Sequence, residues 1–343
     1  MIRHRFCLLT GIALLLSGGF AHSAPPTPNY HQIKKIELGG EGGWDYLTFD
    51  SASQRLYISH ATHVVVVDVN KGAAVGDIAN TPGVHGIAIA PKLNRGFTSN
   101  GRDNSVTIFD LKTLKALSTV KVGTNPDAIV FDPATNRVFT FNGSSNDATA
   151  IDAATGRVIR TIPLAGRPEF AVSDEKGEMF VNIEDKSEIV ALDTKALIVR
   201  HRWPIAPGEE PSGLSMDFAH RRLFAVCSNE KMVVLDADSG KVVATPTIGK
   251  GPDASAFDPK LGMAFSSNGQ DGTLTLIKED SPDKFHVAAT VPTQRGARTM
   301  AIDPKTHRIF LATARFAAPA AGAPPARRPA MEPNSFMILV FGP

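Results

Sequence analysis

The chain has 343 residues, 43% hydrophobic and 20% charged, with a formal net charge of +2. That balance is globular and supplies enough apolar residues to fill a core. A net charge so near zero argues against a broad basic surface of the kind that grips nucleic acid.

The N-terminus differs in kind from the rest. Arg3 and Arg5 precede an apolar run from Phe6 to Leu16, followed by small residues and Ala21-His22-Ser23-Ala24. This is the order of a secretory signal peptide, and the apolar run is too short for a membrane span. Cleavage after Ser23 satisfies the small-x-small rule, so residues 1–23 are expected to be a signal peptide. Residues 24–343 would then be a soluble, monomeric domain with no transmembrane segment, in the periplasm or secreted. Losing Arg3 and Arg5 takes the formal charge from +2 to zero. Losing Cys7 leaves Cys227 alone, so no internal disulfide can form and packing must hold the fold. Cys227 ends the apolar run LFAVC and reads as a buried inert thiol rather than a nucleophile.

Downstream, the chain repeats itself. NPDAIVFDPATNRVFTFNG at 125–143 returns as GPDASAFDPKLGMAFSSNG at 251–269. Intermediate copies exist. The register points are Phe49-Asp50, Ile89-Ala90-Pro91, Phe131-Asp132-Pro133, Ser173-Asp174, Met216-Asp217, Phe257-Asp258-Pro259 and Ile302-Asp303-Pro304. In each copy an apolar strand runs into Asp-Pro or its equivalent, which suits the first positions of a type I turn. A second strand follows, as in Arg55-Leu56-Tyr57 or Arg137-Val138-Phe139. A polar loop leads to a third strand ending at Asp68, Asp110, Asp152, Asp193 or Asp236, and a turn leads to a fourth. No segment has a helical period. Four short antiparallel strands, repeated seven times at about forty residues each, predict an all-β, seven-bladed propeller. The last copy ends in a third strand, Ser335 to Phe341, while His31 to Leu38 has the pattern of a fourth strand. The N-terminal strand is therefore expected to complete the C-terminal blade and remove an open sheet edge.

The segment PDAIVFDPATNRVF, with its third strand, Asp-x-x-x-Gly turn and fourth strand, resembles the YVTN-type repeat of YncE-like bacterial β-propellers. The resemblance spans about residues 31–343. It implies a propeller fold and export, and it adds single-stranded DNA binding as a function to consider. The WD-repeat class is a poorer match, because Trp44-Asp45 begins a blade and no Gly-His pair accompanies it.

Equivalent positions in the blades act as controls for one another. Asp236-Ala237-Asp238-Ser239-Gly240 looks like a calcium loop, but Asp68 to Gly72 and Asp152 to Gly156 mark it as a hairpin turn. Gly39 to Gly43 is a connector rather than a phosphate cradle, since no helix or Lys-Ser/Thr follows it. Five residues before each register point stand Asp45, His85, Asp127, Glu169, Ser212, Asp253 and Arg298. These should ring one mouth of the central channel. Two readings are open: Asp after Pro caps its own turn, or the ring binds a cation, a metal ion or a polar ligand. As metal ligands the candidates are Asp45, His85, Asp127, Glu169 and Asp253, holding a divalent cation. The loops between second and third strands should open on the same face, where His60 and His63 replace the Asn-Gly of other blades. Trp44, His60, His63 and His85 are expected to cluster across blades one and two. The Ala/Pro-rich segment Ala317–Asn334, with Arg327 and Arg328, reads as a flexible tether or a lid over that mouth.

Three functions compete. The first is a non-catalytic exported propeller that binds a protein partner or a small polar or cationic ligand through its upper face. The second is a lactonase-like or streptogramin-lyase-like enzyme using a metal or histidine at the mouth, although no nucleophile elbow, HExxH or Cys-His arrangement supports it. The third is DNA binding, which the neutral charge disfavours, though Trp44, Tyr46, Phe316 and Arg315 offer a local patch.

Overall fold

A computed structural model describes residues 1–2, 28–317 and 330–343. Nearly all of the expected leader, and Arg327 and Arg328 of the Ala/Pro-rich segment, lie outside the described residues. The described chain forms seven four-stranded antiparallel sheets, interrupted by two single-turn 3₁₀ segments at Pro91–Leu93 and Glu184–Lys186. The innermost strands are Trp44–Asp50, Val84–Ala90, Pro126–Asp132, Pro168–Ser173, Pro211–Asp217, Pro252–Asp258 and Thr299–Asp303. Each touches the inner strands of both neighbouring blades, and the seventh touches the first, so the sheets close into a ring. This is the seven-bladed propeller expected from the repeat.

The turn chemistry matches the sequence. At the end of the inner strands, the carboxylates of Asp50, Asp132, Asp217, Asp258 and Asp303 accept the N–H two residues on. At the outer hairpin, Asp68, Asp110, Asp152, Asp193 and Asp236 each accept two successive N–H groups. Asp236 is therefore a turn cap, as its equivalents indicate. Each second strand carries an aromatic ring at its third residue: Tyr57, Phe97, Phe139, Phe180, Phe224, Phe265 and Phe310, none more than 1% exposed. These rings fill the seams between blades, and truncating any one to Ala should cost about 3–5 kcal/mol. Where two inner strands approach most closely, a side chain is excluded: a Cβ on Gly213 would lie 2.6 Å from the backbone of Ala254.

Blade seven is a composite. Its order from outside inwards is His31–Glu37, Met337–Gly342, Arg308–Thr313 and Thr299–Asp303. The first two pair antiparallel, with Ile36 opposite Ile338 and Glu37 opposite Met337. Cys227 is fully buried, and burial pushes its thiol up to about 12, so it is inert.

Candidate functional site

The ring residues sit where the inner strands begin, and their backbones are pinned from the side. Ser99 of blade two donates to the Asp127 carbonyl, and Ser267 of blade six donates to the Arg298 carbonyl. Thr299 donates to the Asp45 carbonyl at 2.7 Å, and Asn182 donates to the Ser212 carbonyl at 2.7 Å. Each contact ties one blade to the next, so the ring geometry belongs to the closed propeller and not to single blades.

Five side chains converge. His85 Nδ1 is 2.7 Å from Asp45 Oδ2 and 3.6 Å from Asp127 Oδ1. Arg298 reaches across to Asp253 and to Asp45 Oδ1 at 3.5 Å, and donates to the Trp44 carbonyl at 2.8 Å. Among the described residues, Asp45, Asp127 and Asp253 do not hydrogen-bond into their own turns. The carboxylates remain reachable: Asp45, Asp127 and Asp253 keep 19%, 18% and 23% of their side-chain surface exposed. Asp127 Oδ1 nevertheless has no hydrogen-bond partner.

The electrostatics follow from this crowding. Burial, then the charge of Asp45, pushes Asp127 up to about 7. Burial, then Asp127 and Asp253, holds Glu169 well above the usual carboxylate range. Burial raises Asp253 although Arg298 pulls the other way. Burial alone would lower His85, but its hydrogen bond to Asp45 and the charge of Asp127 outweigh it and favour the imidazolium.

The remaining candidates lie elsewhere. Ser212 donates to the Pro252 carbonyl at 3.1 Å and so braces blades five and six. Trp44 and His60 are buried against Phe336, with ring centroids 5.3 and 4.3 Å away. His63 packs edge-on against His60 and lines an open depression of about 670 Å³ with Thr62, Asp77, Asn80 and Asp103. The expected cluster of four residues is thus two groups: Trp44, His60 and His63 around Phe336, and His85 with the carboxylates.

Two residues of the mouth were not singled out as ligands from the sequence. Tyr46 of blade one packs against Phe170 of blade four, ring centroids 5.1 Å apart and planes tilted by 46°, across the channel. The signal was available: the same position holds Gly86, Ala128, Gly213, Ala254 and Thr299 in the other blades. Glu184 lies within hydrogen-bonding reach of Glu169, and burial holds it above the usual carboxylate range despite the charge of Arg167. It stands where blades two, three and six have Gly101, Gly143 and Gly269.

Asp45, His85 and Asp127 each offer one ligand atom, and these lie within 4.8 Å of one another. The donor set suits a divalent cation, but the imidazole nitrogen facing the site already serves the bond to Asp45. A metal there must displace that proton, whereas an ammonium group needs only the unpartnered Oδ1 of Asp127.

Comparison with known proteins fits this architecture. A PQQ-type repeat family, described as Outer membrane protein assembly factor BamB, matches residues 102–312, more than half of the chain. The chain belongs to this family. No curated protein matches it. A solved structure titled Kuenenia stuttgartiensis Hydrazine Synthase superposes with a TM-score of 0.71 at 16% identity, covering 80% of this chain and 94% of that one. At that identity the likeness extends to the propeller fold alone. Among the described residues, no helix of this BamB-family chain is long and apolar enough to cross a membrane.

Proposed function

We propose that this chain is an exported, non-catalytic propeller whose central mouth binds a cationic group, such as the ammonium of a small ligand or of a partner protein. The observation that carries the reading is Asp127 Oδ1: a buried carboxylate oxygen without a hydrogen-bond partner, 3.6 Å from His85, in a ring where, among the described residues, Arg298 and His85 are the cations that pair with the carboxylates. Removing carboxylates from water costs free energy that an incoming cation recovers. Binding of a partner protein agrees with a family named for outer membrane protein assembly, and export agrees with the leader-like residues 1–23. Within that family, the repeats resemble the YVTN type of YncE-like chains. The mouth is acidic, which disfavours a nucleic-acid phosphate backbone there.

The test is calorimetric titration and thermal melting of the mature chain with methylammonium, putrescine and separately Mn²⁺ or Ca²⁺. A cation that binds the folded state raises the melting temperature by mass action. Binding should strengthen as pH rises through about 7, where Asp127 loses its proton. Asp127→Asn with Asp253→Asn should abolish it. No response to any of these cations at pH 8 would overturn the reading, and a response to metals only would replace the ammonium by a metal ion.

A further inference from the structure

The opposite end of the propeller holds a second departure from the repeat. Asp217 closes the inner strand of blade five, about five residues and roughly 17 Å of strand away from the mouth position Ser212. In blades one, three and seven, the residue three positions after this Asp is a hydroxyl that caps it. Ser53, Thr135 and Thr306 donate to Asp50, Asp132 and Asp303 at 2.6, 2.6 and 2.7 Å. Blade five has His220 instead.

The facing residue departs too. The residue after the third strand's closing position is buried under the preceding blade's turn. It is Val69, Leu111, Ala153, Thr194 and Ala237 in the first five blades, none more than 8% exposed. Blade six has Glu279, itself 7% exposed. It holds the same place in the register, one residue after Lys278, which pairs with Met263 as Asp152 pairs with Arg137. A neutral side chain on one face and a hydroxyl on the other have been replaced, at touching positions, by a carboxylate and an imidazole.

The three groups meet closely. His220 Nδ1 is 2.7 Å from Asp217 Oδ2 and 2.9 Å from Glu279 Oε1, and the three ligand atoms lie within 4.8 Å of one another. Both Glu279 oxygens are buried with no partner other than His220, and Asp217 Oδ2 also accepts the His220 backbone N–H at 3.2 Å. His286 and His307 are each hydrogen-bonded to a single carboxylate, Asp280 and Asp258, whereas His220 lies against two. The neighbouring guanidinium of Arg222 is hydrogen-bonded to Asp236, Asp283 and the Pro282 carbonyl, so it offsets the charge of Glu279 without bonding to it. His220 is about half exposed, which leaves a path from solvent and room for water to complete a coordination shell.

We propose that Asp217, His220 and Glu279 form a divalent-metal site that clamps blade six onto blade five. One imidazole and two carboxylates are a donor set for Zn²⁺, with water in the fourth position. The site is independent of the mouth, and its failure leaves the mouth untouched.

The test strips the mature chain with a chelator, dialyses it, and titrates Zn²⁺ while following bound metal and melting temperature. Co²⁺ supplies a visible spectrum as a second readout. Wild type should take up Zn²⁺ with a rise in melting temperature and show the d–d bands of a low-coordinate Co²⁺ site. His220→Thr restores the capping hydroxyl of blades three and seven, and Glu279→Val installs the residue of blade one, so both should fold. Each should lose one equivalent of bound Zn²⁺ and the Co²⁺ bands, while Asp127→Asn keeps them. The inference is overturned if wild type binds no Zn²⁺. It is equally overturned if His220→Thr and Glu279→Val bind as many equivalents as wild type.

Discussion

His60 shows how one residue is decided by its neighbours. In blades two, three and six the same position is a fully buried Asn with three side-chain partners, all hydroxyls in blades two and six and two hydroxyls with the Asp147 carboxylate in blade three. Asn100 bonds Thr98, Ser105 and Thr107, and Asn268 bonds Ser266, Thr273 and Thr275. In blade one those three partners are Ile58, His63 and Val65, so an amide would be orphaned there and an aromatic ring that stacks on Phe336 takes its place. Burial, then the neighbouring His63, pulls His60 down to about 4. The sign follows: with a folded value below its ordinary 6.5, this group contributes stability above about pH 6.5 that is lost as pH falls towards 4. His60→Phe should therefore lose less stability than wild type between pH 7 and 4.5, by about 2–3 kcal/mol in denaturant titrations. Equal losses in the two proteins would show that acid sensitivity arises elsewhere.

Among the elements, the N-terminal strand matters most for its length. His31–Glu37 is mostly exposed, with Ile36 alone fully inside, yet it covers the edge of Met337–Gly342, every residue of which is buried. Tyr30, just before it, donates to the His307 carbonyl at 2.7 Å and packs edge-on against Phe265 of blade six. A chain beginning at Gly39 would lose these contacts and expose an apolar edge that invites pairing with other chains. It should lose at least about 3 kcal/mol, the cost of removing two buried side chains, and should aggregate on heating. Amide exchange of the intact chain should show 31–37 and 337–342 protected together. Unequal protection of the two segments, or unchanged melting of the shortened chain, would break the closure argument.

On the scale of the whole molecule, the channel is closed by one pair. Tyr46 and Phe170 lie in blades one and four, and their contact spans a ring whose other five positions at that level are small. The pair links opposite sides of the propeller and excludes water beneath the carboxylates, which strengthens every charge interaction above it. Tyr46→Ala should cost about 2–3 kcal/mol, less than a fully buried ring because Tyr46 is only half-buried. A double-mutant cycle with Phe170→Ala should give a coupling of about 0.5–1.5 kcal/mol. It should also let water into the floor, lower the Asp127 pKa and flatten the pH dependence of cation binding. A coupling of zero would mean the two rings act separately.

The fold was legible in the sequence because each blade is a local unit: Asp turns, alternating strands and seam aromatics recur at fixed spacing, and each needs only neighbours within its own copy. The candidate ring was legible as seven positions for the same reason, and Tyr46 and Glu184 could have been found by extending that alignment to adjacent positions. Which ring residues meet was not legible. Asp45 finds His85 and Arg298, while Ser212 turns to a neighbouring backbone, because closing the ring sets residues forty or more apart at contact distance. The pairing of His220 with Glu279 was hidden for a further reason: it needs two departures from the repeat, in different blades, to fall at positions that the closed ring brings into contact. The sequence by itself determined the blade, its number and the strand that closes it, all matters of periodicity. Only the tertiary structure decided the charge clusters, because those depend on distances across blades that no spacing along the chain encodes.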